Sequence, residues 1–326
     1  MSGDDDAAAD EESEVVAVEE KLLHCACCGR TEIDDIKLKD CKSCDLVRYC
    51  SDACEANNKS EHEEDCMKRT TELRDELLFK QPESTHLGDC PICTIPLPLD
   101  DEKYVRRPCC FNYVCQGCMH QSIKVAAGER SGFPKCPFCR EPAPPPSDIN
   151  SFEKNYRKQL TKRIEANDPV AMSILGHDHC AKGDYSGAFE LFTKAAQLGD
   201  MEAHYKLAIM YRDGDGVEED EEKLVHHFEE AAMGGHPSAR HDLAVYEFAN
   251  GKRERAAKHW IIAANQGQDL STQLLTATFE LEGIEGGRRS FGKEDFAAAL
   301  YGHQAAVKAT KSPEREEAAA FYGREH

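Results

Sequence analysis

The sequence predicts two small cysteine-stapled α+β domains followed by an all-α helical repeat array. Three observations carry that expectation: eight cysteines lie between residues 25 and 66, eight more between residues 90 and 139, and the phrase Ala-Ala-x-x-Gly recurs in the C-terminal half.

The chain has 326 residues, enough for two or three domains. Aromatic residues, at 7%, are too few for one large core, while 40% hydrophobic and 31% charged residues suit a soluble, helix-rich protein. No run of about 20 apolar residues is present, so no membrane partner is expected. The N-terminus opens on acidic residues instead of a basic region followed by an apolar stretch, so no secretory signal is expected and the location is expected to be intracellular, cytoplasmic or nuclear. Reducing compartments keep thiols free, so seventeen cysteines point to metal binding over disulfides. A formal charge of -21 disfavours nucleic acid, whose phosphates are bound mainly by Lys and Arg.

Residues 1–20 are acidic with no basic residue and read as a disordered tail. Residues 21–66 form the first finger and 67–86 a helical linker, in which Leu73, Leu77 and Leu78 keep helical spacing over Met67 to Lys80 before Pro82. Residues 87–141 form the second finger. Residues 142–150, with Pro142, Pro144, Pro145 and Pro146, read as a stiff spacer separating the fingers from the array at 151–326.

In that array Ala195-Ala196-Gln-Leu-Gly199, Ala231-Ala232-Met-Gly-Gly235 and Ala263-Ala264-Asn-Gln-Gly267 recur at 36 and 32 residues, and Leu175, Leu207, Leu243 and Leu275 keep the same rhythm. Such periods, with small residues where helices approach and Gly where they end, indicate stacked helix-turn-helix units. The units resemble Sel-one-like repeats, relatives of the tetratricopeptide family. Residues 203–235 show it best, three units are clear, and a fourth from Ser271 to about Ala309 is degenerate. The resemblance implies a curved surface for a protein partner.

The first eight ligand candidates fall as Cys25-x2-Cys28, Cys41-x2-Cys44, Cys50-x3-Cys54 and His62-x3-Cys66. Tetrahedral zinc takes four ligands, so two sites follow. With the stretch from Cys41 to Cys54 and Gly29 after the first pair, this resembles a MYND finger. The family's topology implies Cys25, Cys28, Cys50 and Cys54 on one zinc, and Cys41, Cys44, His62 and Cys66 on the other. Cys27 is left as a spare thiol by the spacing. MYND fingers often bind proline-containing peptides through a Gln and a Trp near the last ligands. Here Glu55 stands near the Gln position and Asn58 or Lys59 near the Trp position, a departure from that pattern.

The second set runs Cys90-x2-Cys93, Cys109-Cys110, Cys115-x2-Cys118 and Cys136-x2-Cys139. It resembles an all-cysteine RING finger, which implies Cys90, Cys93, Cys115 and Cys118 on one zinc and Cys109, Cys110, Cys136 and Cys139 on the other. The second pair departs from the usual Cys-x-His, since the cysteines are adjacent and Asn112 follows. That leaves open whether Cys109 ligates, whether Cys110 serves alone with water in the fourth position, or whether the site fills. The fold implied throughout is a pair of zinc-stapled, cross-brace finger domains, MYND then RING, ahead of an all-α helical repeat solenoid. Four zinc ions are expected.

Ile92 and Pro137 on the zinc loops, and Arg140 after the last ligand, stand where RING ubiquitin ligases contact a ubiquitin-conjugating enzyme. The resemblance implies ligase activity by positioning, with no covalent nucleophile. The alternative is a non-catalytic protein-interaction scaffold. His177, His179 and Cys180 fall where the repeat places packing residues, and His226 and His227 read as a solvated edge. No phosphate loop or nucleophile elbow is present.

Overall fold

The computed structural model describes residues 24–31, 37–128, 135–141, 149–285 and 290–323. The acidic tail at 1–20 and Pro142 to Pro146 lie outside the described residues. The chain divides into two compact units, Met1–Lys80 and Gln81–His326.

In the first unit, β1 (Lys39–Asp40) and β2 (Arg48–Tyr49) pair antiparallel, with Lys39 opposite Tyr49 and Asp40 opposite Arg48. A 27-residue helix follows, α1 (Asp52–Leu78). Ser51 caps it by accepting from the Cys54 N–H, and Asp52 and Glu55 in the first turn complement the helix dipole. The helix expected over Met67 to Lys80 is therefore the second part of a longer one that starts at Asp52. Helical periodicity could not reveal the first part, because α1 buries only His62 and Leu78 and has no apolar stripe there. The core is as small: Cys25, Leu38 and Tyr49 are buried, with Cys41, Val47, Cys50 and Cys54 partly buried around them.

The second unit contains both the second finger and the array. β3 (Tyr104–Arg106) pairs antiparallel with β4 (Tyr113–Cys115), which runs straight into α2 (Gln116–Gly128). Cys90, Leu97, Val114, Cys115 and Met119 form the finger's core. The array comprises α3 (Ile149–Glu165), α4 (Pro169–Ala181), α5 (Tyr185–Gln197), α6 (Met201–Asp213), α7 (Glu221–Met233), α8 (Pro237–Ala249), α9 (Arg253–Asn265), α10 (Asp269–Glu285), α11 (Lys293–Ala309) and α12 (Pro313–Tyr322).

Helices α4 and α5, α6 and α7, and α8 and α9 pack as hairpins, and α5 against α6 and α7 against α8 join one hairpin to the next. The recurring phrase explains the stacking. Ala195, Ala231 and Ala263 are fully buried, so backbones approach closely where a larger side chain would hold them apart. Phe192, Phe228 and Trp260 fill one core position in successive units, and Leu207, Leu243 and Leu275 another. The glycine of each phrase adopts a left-handed conformation just past its helix, with φ of 86° at Gly199, 81° at Gly235 and 89° at Gly267. Asp168, Asp184, Asp200 and Asp220 cap the helices that follow them. No helix among the described residues is long and apolar enough to cross a membrane.

The proline segment was expected to separate the second finger from the array, but the flanking elements pack together. Phe111, between Cys110 and Asn112, is buried with Leu160, Ala171 and Ile174 of α3 and α4. The Arg163 guanidinium lies 5.1 Å from the Phe111 ring centroid and donates to the Cys110 carbonyl at 3.3 Å. The His86 N–H donates to the Gly235 carbonyl at 2.9 Å, and α12 returns to pack on α2. Spacer composition sets chain stiffness only, and apolar burial at Phe111 decides the arrangement.

Truncating Phe111 removes a buried ring from this junction. Phe111→Ala is expected to lower the unfolding free energy of the full chain by about 3 kcal/mol, read by denaturant titration. A loss below about 0.5 kcal/mol would show that the finger and the array do not depend on each other.

Candidate metal centres

Three of the ligand-bearing loops share one backbone device. The Cys25 N–H donates to Arg30 O at 2.8 Å and the Gly29 N–H to Cys25 O at 2.8 Å. The same two bonds recur from Cys90 to Ile95 and Thr94 to Cys90, and from Cys136 to Glu141 and Arg140 to Cys136, at 2.7 to 3.0 Å. Each turn places its fifth residue in the left-handed region, with φ of 72° at Gly29, 54° at Thr94 and 65° at Arg140. Only Gly29 satisfies that at no steric cost, so the other two turns hold strain of the order of 1 kcal/mol or more each.

A fourth copy of the turn carries the adjacent cysteines. The Arg107 N–H donates to Asn112 O at 2.9 Å and the Phe111 N–H to Arg107 O at 2.7 Å, with Phe111 at φ 59°. The turn is the same, but its first position is Arg107, not cysteine. Its third and fourth positions, Cys109 and Cys110, supply the thiols. No spacing rule for cysteine pairs could have found this turn.

Four sets of thiols converge. Cys25, Cys28, Cys50 and Cys54 form one set, and Cys41, Cys44, His62 and Cys66 the second. Cys90, Cys93, Cys115 and Cys118 form the third, and Cys109, Cys110, Cys136 and Cys139 the fourth. In each, the potential ligand atoms lie within 4.8 Å of one another. Sulfur separations are 3.5 Å for Cys28 and Cys50, 3.6 Å for Cys50 and Cys54, and 3.8 Å for Cys41 and Cys66. They are 3.9 Å for Cys90 and Cys118, 3.8 Å for Cys93 and Cys115, 3.9 Å for Cys110 and Cys136, and 3.4 Å for Cys109 and Cys139. A tetrahedron with metal–sulfur bonds of about 2.3 Å has edges of about 3.8 Å, so these sets fit a four-coordinate ion. Cys27 is exposed and outside every set.

Secondary structure delivers the ligands in alternation. The Ser51-capped end of α1 carries Cys54 to the first set, while His62 and Cys66 further along it reach the second. The His62 Nε2 lies 3.1 Å from the Cys44 sulfur, and His62 is buried. Arg69 grips Asp45 with two bonds, at 2.7 and 2.9 Å, and Thr70 donates to Ser43 O, fastening the Cys41 to Cys44 loop to the helix.

Crowded thiols cannot all ionise alone. The Cys90 thiol is pulled down to about 4 by the Cys115 side chain, and the same contact pushes Cys115 strongly up. Burial opposes ionisation of Cys136, yet backbone N–H groups of Cys139 and Phe138 bring it down to about 6. Burial pushes Cys109 up. Such splitting is what neighbouring like charges impose, and a divalent cation removes it.

A groove of about 820 Å³ on the first finger is lined by Tyr49, Glu55, Lys59 and Met67 among others. Asn58 does not line it and instead accepts from the Tyr49 hydroxyl at 3.0 Å. On the second finger Ile92 and Phe138 are exposed at 40% and 47%, Arg140 is exposed, and Pro137 is half-buried.

His86, Glu202 and His236 also gather within 4.8 Å, a group that sequence reasoning did not single out. It does not suit a metal. The His86 and His236 rings stack at 4.0 Å with a 14° interplanar angle, so their lone pairs run parallel instead of converging. His236 Nδ1 accepts the Ala239 N–H at 3.1 Å, which keeps the ring proton on Nε2, facing Glu202 at 3.0 Å. His177 packs edge-on against Phe192 and lies 3.4 Å from Glu202, His179 bonds Asp184, and Cys180 packs on the array core, as packing residues should. His226 is exposed, but His227 departs from the expected solvated edge: it stacks on Tyr211 and bonds His204 at 3.0 Å, because its face of α7 meets α6.

Residues 170–200, 202–236 and 237–268 each match the Sel1 repeat family. An uncharacterized protein of Neisseria meningitidis serogroup B is 32% identical over 120 residues, 36% of this chain and 25% of that protein. Chitin synthase regulatory factor 2 of Schizosaccharomyces pombe is 38% identical over 61 residues, 19% of this chain and 12% of that protein. The chain thus spans a quarter or less of the curated relatives it matches. A Sel1 repeat protein from Oxalobacter formigenes has 25% identity and a TM-score of 0.40, covering 48% of this chain and 65% of that one. A protective antigen of uropathogenic Escherichia coli displaying an SLR fold has 27% identity and a TM-score of 0.38, covering 51% and 36%. The C-terminal region therefore carries Sel1 repeats in a helical solenoid, an architecture suited to protein partners.

Burial, then adjacency to His236, holds His86 down to about 3, and burial, then adjacency to His204, holds His227 down to about 4. Unfolded histidine titrates near 6.5, so below that pH the unfolded chain binds more protons and stability falls. The contribution is intact above about pH 6.5 and is lost as pH drops toward 3 to 4. The denaturation midpoint should fall from pH 7 to pH 5, with a shallower slope in His86→Leu. An unchanged slope in that variant would remove His86 from the account.

Proposed function

We propose that this chain is a zinc-binding adaptor and a RING-type ubiquitin ligase, recruiting a protein through its Sel1 repeats and a ubiquitin-conjugating enzyme through the second finger. The observation that carries the ligase reading is the exposure of Ile92 and Arg140 on two knuckle turns whose backbones are fixed by paired hydrogen bonds. An apolar side chain on one loop and a planar cation on the other make a shallow docking patch with a directional donor. Burial of either residue in the array would have supported the scaffold reading instead.

Zinc is the ion that the donor sets favour: three are all cysteine and one is three cysteines with His62, soft and borderline ligands with no carboxylate. When bound, zinc supplies folding free energy to domains with little apolar core. The remaining work belongs to the chain. Ile92 and Pro137 anchor the partner enzyme, and Arg140 orders its ubiquitin thioester for attack, so positioning replaces covalent catalysis.

Metal analysis of the full chain should find four zinc ions, and three in Cys109→Ser. Four ions in that variant would take Cys109 out of the ligand set, and two in the wild type would remove a finger from the reading.

With activating enzyme, ubiquitin and a panel of conjugating enzymes, the zinc-loaded protein should build ubiquitin chains. Ile92→Ala should weaken docking by about tenfold or more, while Arg140→Ala should slow ubiquitin discharge with docking nearly unchanged. Both should keep four zinc ions. Inactivity of the fully loaded wild type across the panel would leave the non-catalytic scaffold as the reading.

A further inference from the structure

The second finger's first thiol set has a partner from the far end of the chain. Arg315, near the start of α12, directs its guanidinium into the loop after Cys93. Its Nη2 donates to the Ile95 carbonyl at 3.0 Å and to the Cys93 sulfur at 3.5 Å. Its Nη1 donates to the Pro96 carbonyl at 2.7 Å and to the Thr310 carbonyl at 2.7 Å. One planar group thus joins the ligand loop, the Cys93 sulfur and the C-cap of α11.

The rest of α12 is fitted to the finger helix α2. A side chain at Gly117 would bring its first carbon to 2.9 Å from the Arg315 backbone nitrogen and from its Cγ, so only glycine lets α12 approach. Glu317 accepts from Lys124 at 2.6 Å and from Gln121 at 2.8 Å. The His120 ring lies 4.9 Å from Phe321 and 5.8 Å from Tyr322. The docked face of α2 therefore carries residues 117, 120, 121 and 124, one side of a helix.

We propose that Arg315 is a positioning residue for the metal held by Cys90, Cys93, Cys115 and Cys118, and that the array's last helix is an integral part of that centre. This rests on the zinc reading. Four thiolates around a divalent ion leave two excess negative charges, and a guanidinium on one sulfur and two loop carbonyls both offsets charge and holds the ligand loop in its bound form. The coupling is reciprocal: metal in the third set favours docked α12, and docked α12 slows metal loss.

The test uses the full chain loaded with zinc, with release to a coloured chelator followed in time. In Arg315→Ala, one of four zinc ions should leave about 10–100-fold faster, the range typical of lost outer-sphere partners, with the other three at wild-type rates. Arg315→Lys should not restore the slow rate, because an ammonium cannot reach sulfur and carbonyls in one plane. In the cobalt-substituted protein the Arg315→Ala difference spectrum should show a shifted thiolate-to-cobalt charge-transfer band, which a purely structural contact would leave in place. Equal release rates with an unshifted band would overturn the proposal, as would full rescue by lysine. Wild-type protein holding no zinc would defeat the zinc reading itself, a distinguishable result. Should Arg315→Ala fail to fold, hydrogen exchange of wild-type α12 decides: protection of residues 313–322 identical with zinc present and removed would also overturn it.

Discussion

Repulsion among closely placed thiols is the constraint on which the fingers depend. Fifteen cysteines and His62 gather in four sets with sulfurs 3.4 to 3.9 Å apart where they meet, a spacing that ionised thiols tolerate only around a cation. Among the described residues the first finger's apolar core amounts to Leu38, Tyr49 and partly buried neighbours, too little to offset that repulsion. The knuckle turns make the crowding possible by aiming backbone N–H groups at sulfur and by bending the chain sharply after the last thiol of each turn.

The array solves the opposite problem. It has ample apolar surface and must bury it without a central core, so each hairpin covers its neighbour and the Ala-Ala pairs set the spacing. A single unit could not do this. The stacked His86 and His236 beside Glu202, and the buried Arg240, which donates to the Ala232 carbonyl at 2.7 Å, show that the same junctions also accommodate polar groups.

Finger and array meet in the second unit through Phe111, His86 and α12, so the repeats are not a separate module on a tether. A partner held on the array would be carried by the same compact unit that presents Ile92 and Arg140.

The sequence by itself determined the repeat and the grouping of neighbouring cysteines into pairs, while the sharing of pairs between sites came from family resemblance. Both are local: ligand pairs lie three or four residues apart on one turn, and the repeat phrase records the helix ends and close contacts of a single unit. Cys109 and Cys110 remained open to sequence reasoning because their turn begins at Arg107, and only backbone hydrogen bonds reveal it. The first half of α1 was invisible because Cys54, His62 and Cys66 stand on it where an apolar stripe would mark it. Tertiary structure alone decided the roles of Phe111, His86 and Arg315. Each acts on residues scores to hundreds of positions away, Arg315 on Cys93 across 222, and no periodicity or spacing encodes which distant surfaces will meet. That choice is made by burial and hydrogen-bond geometry once the units have folded.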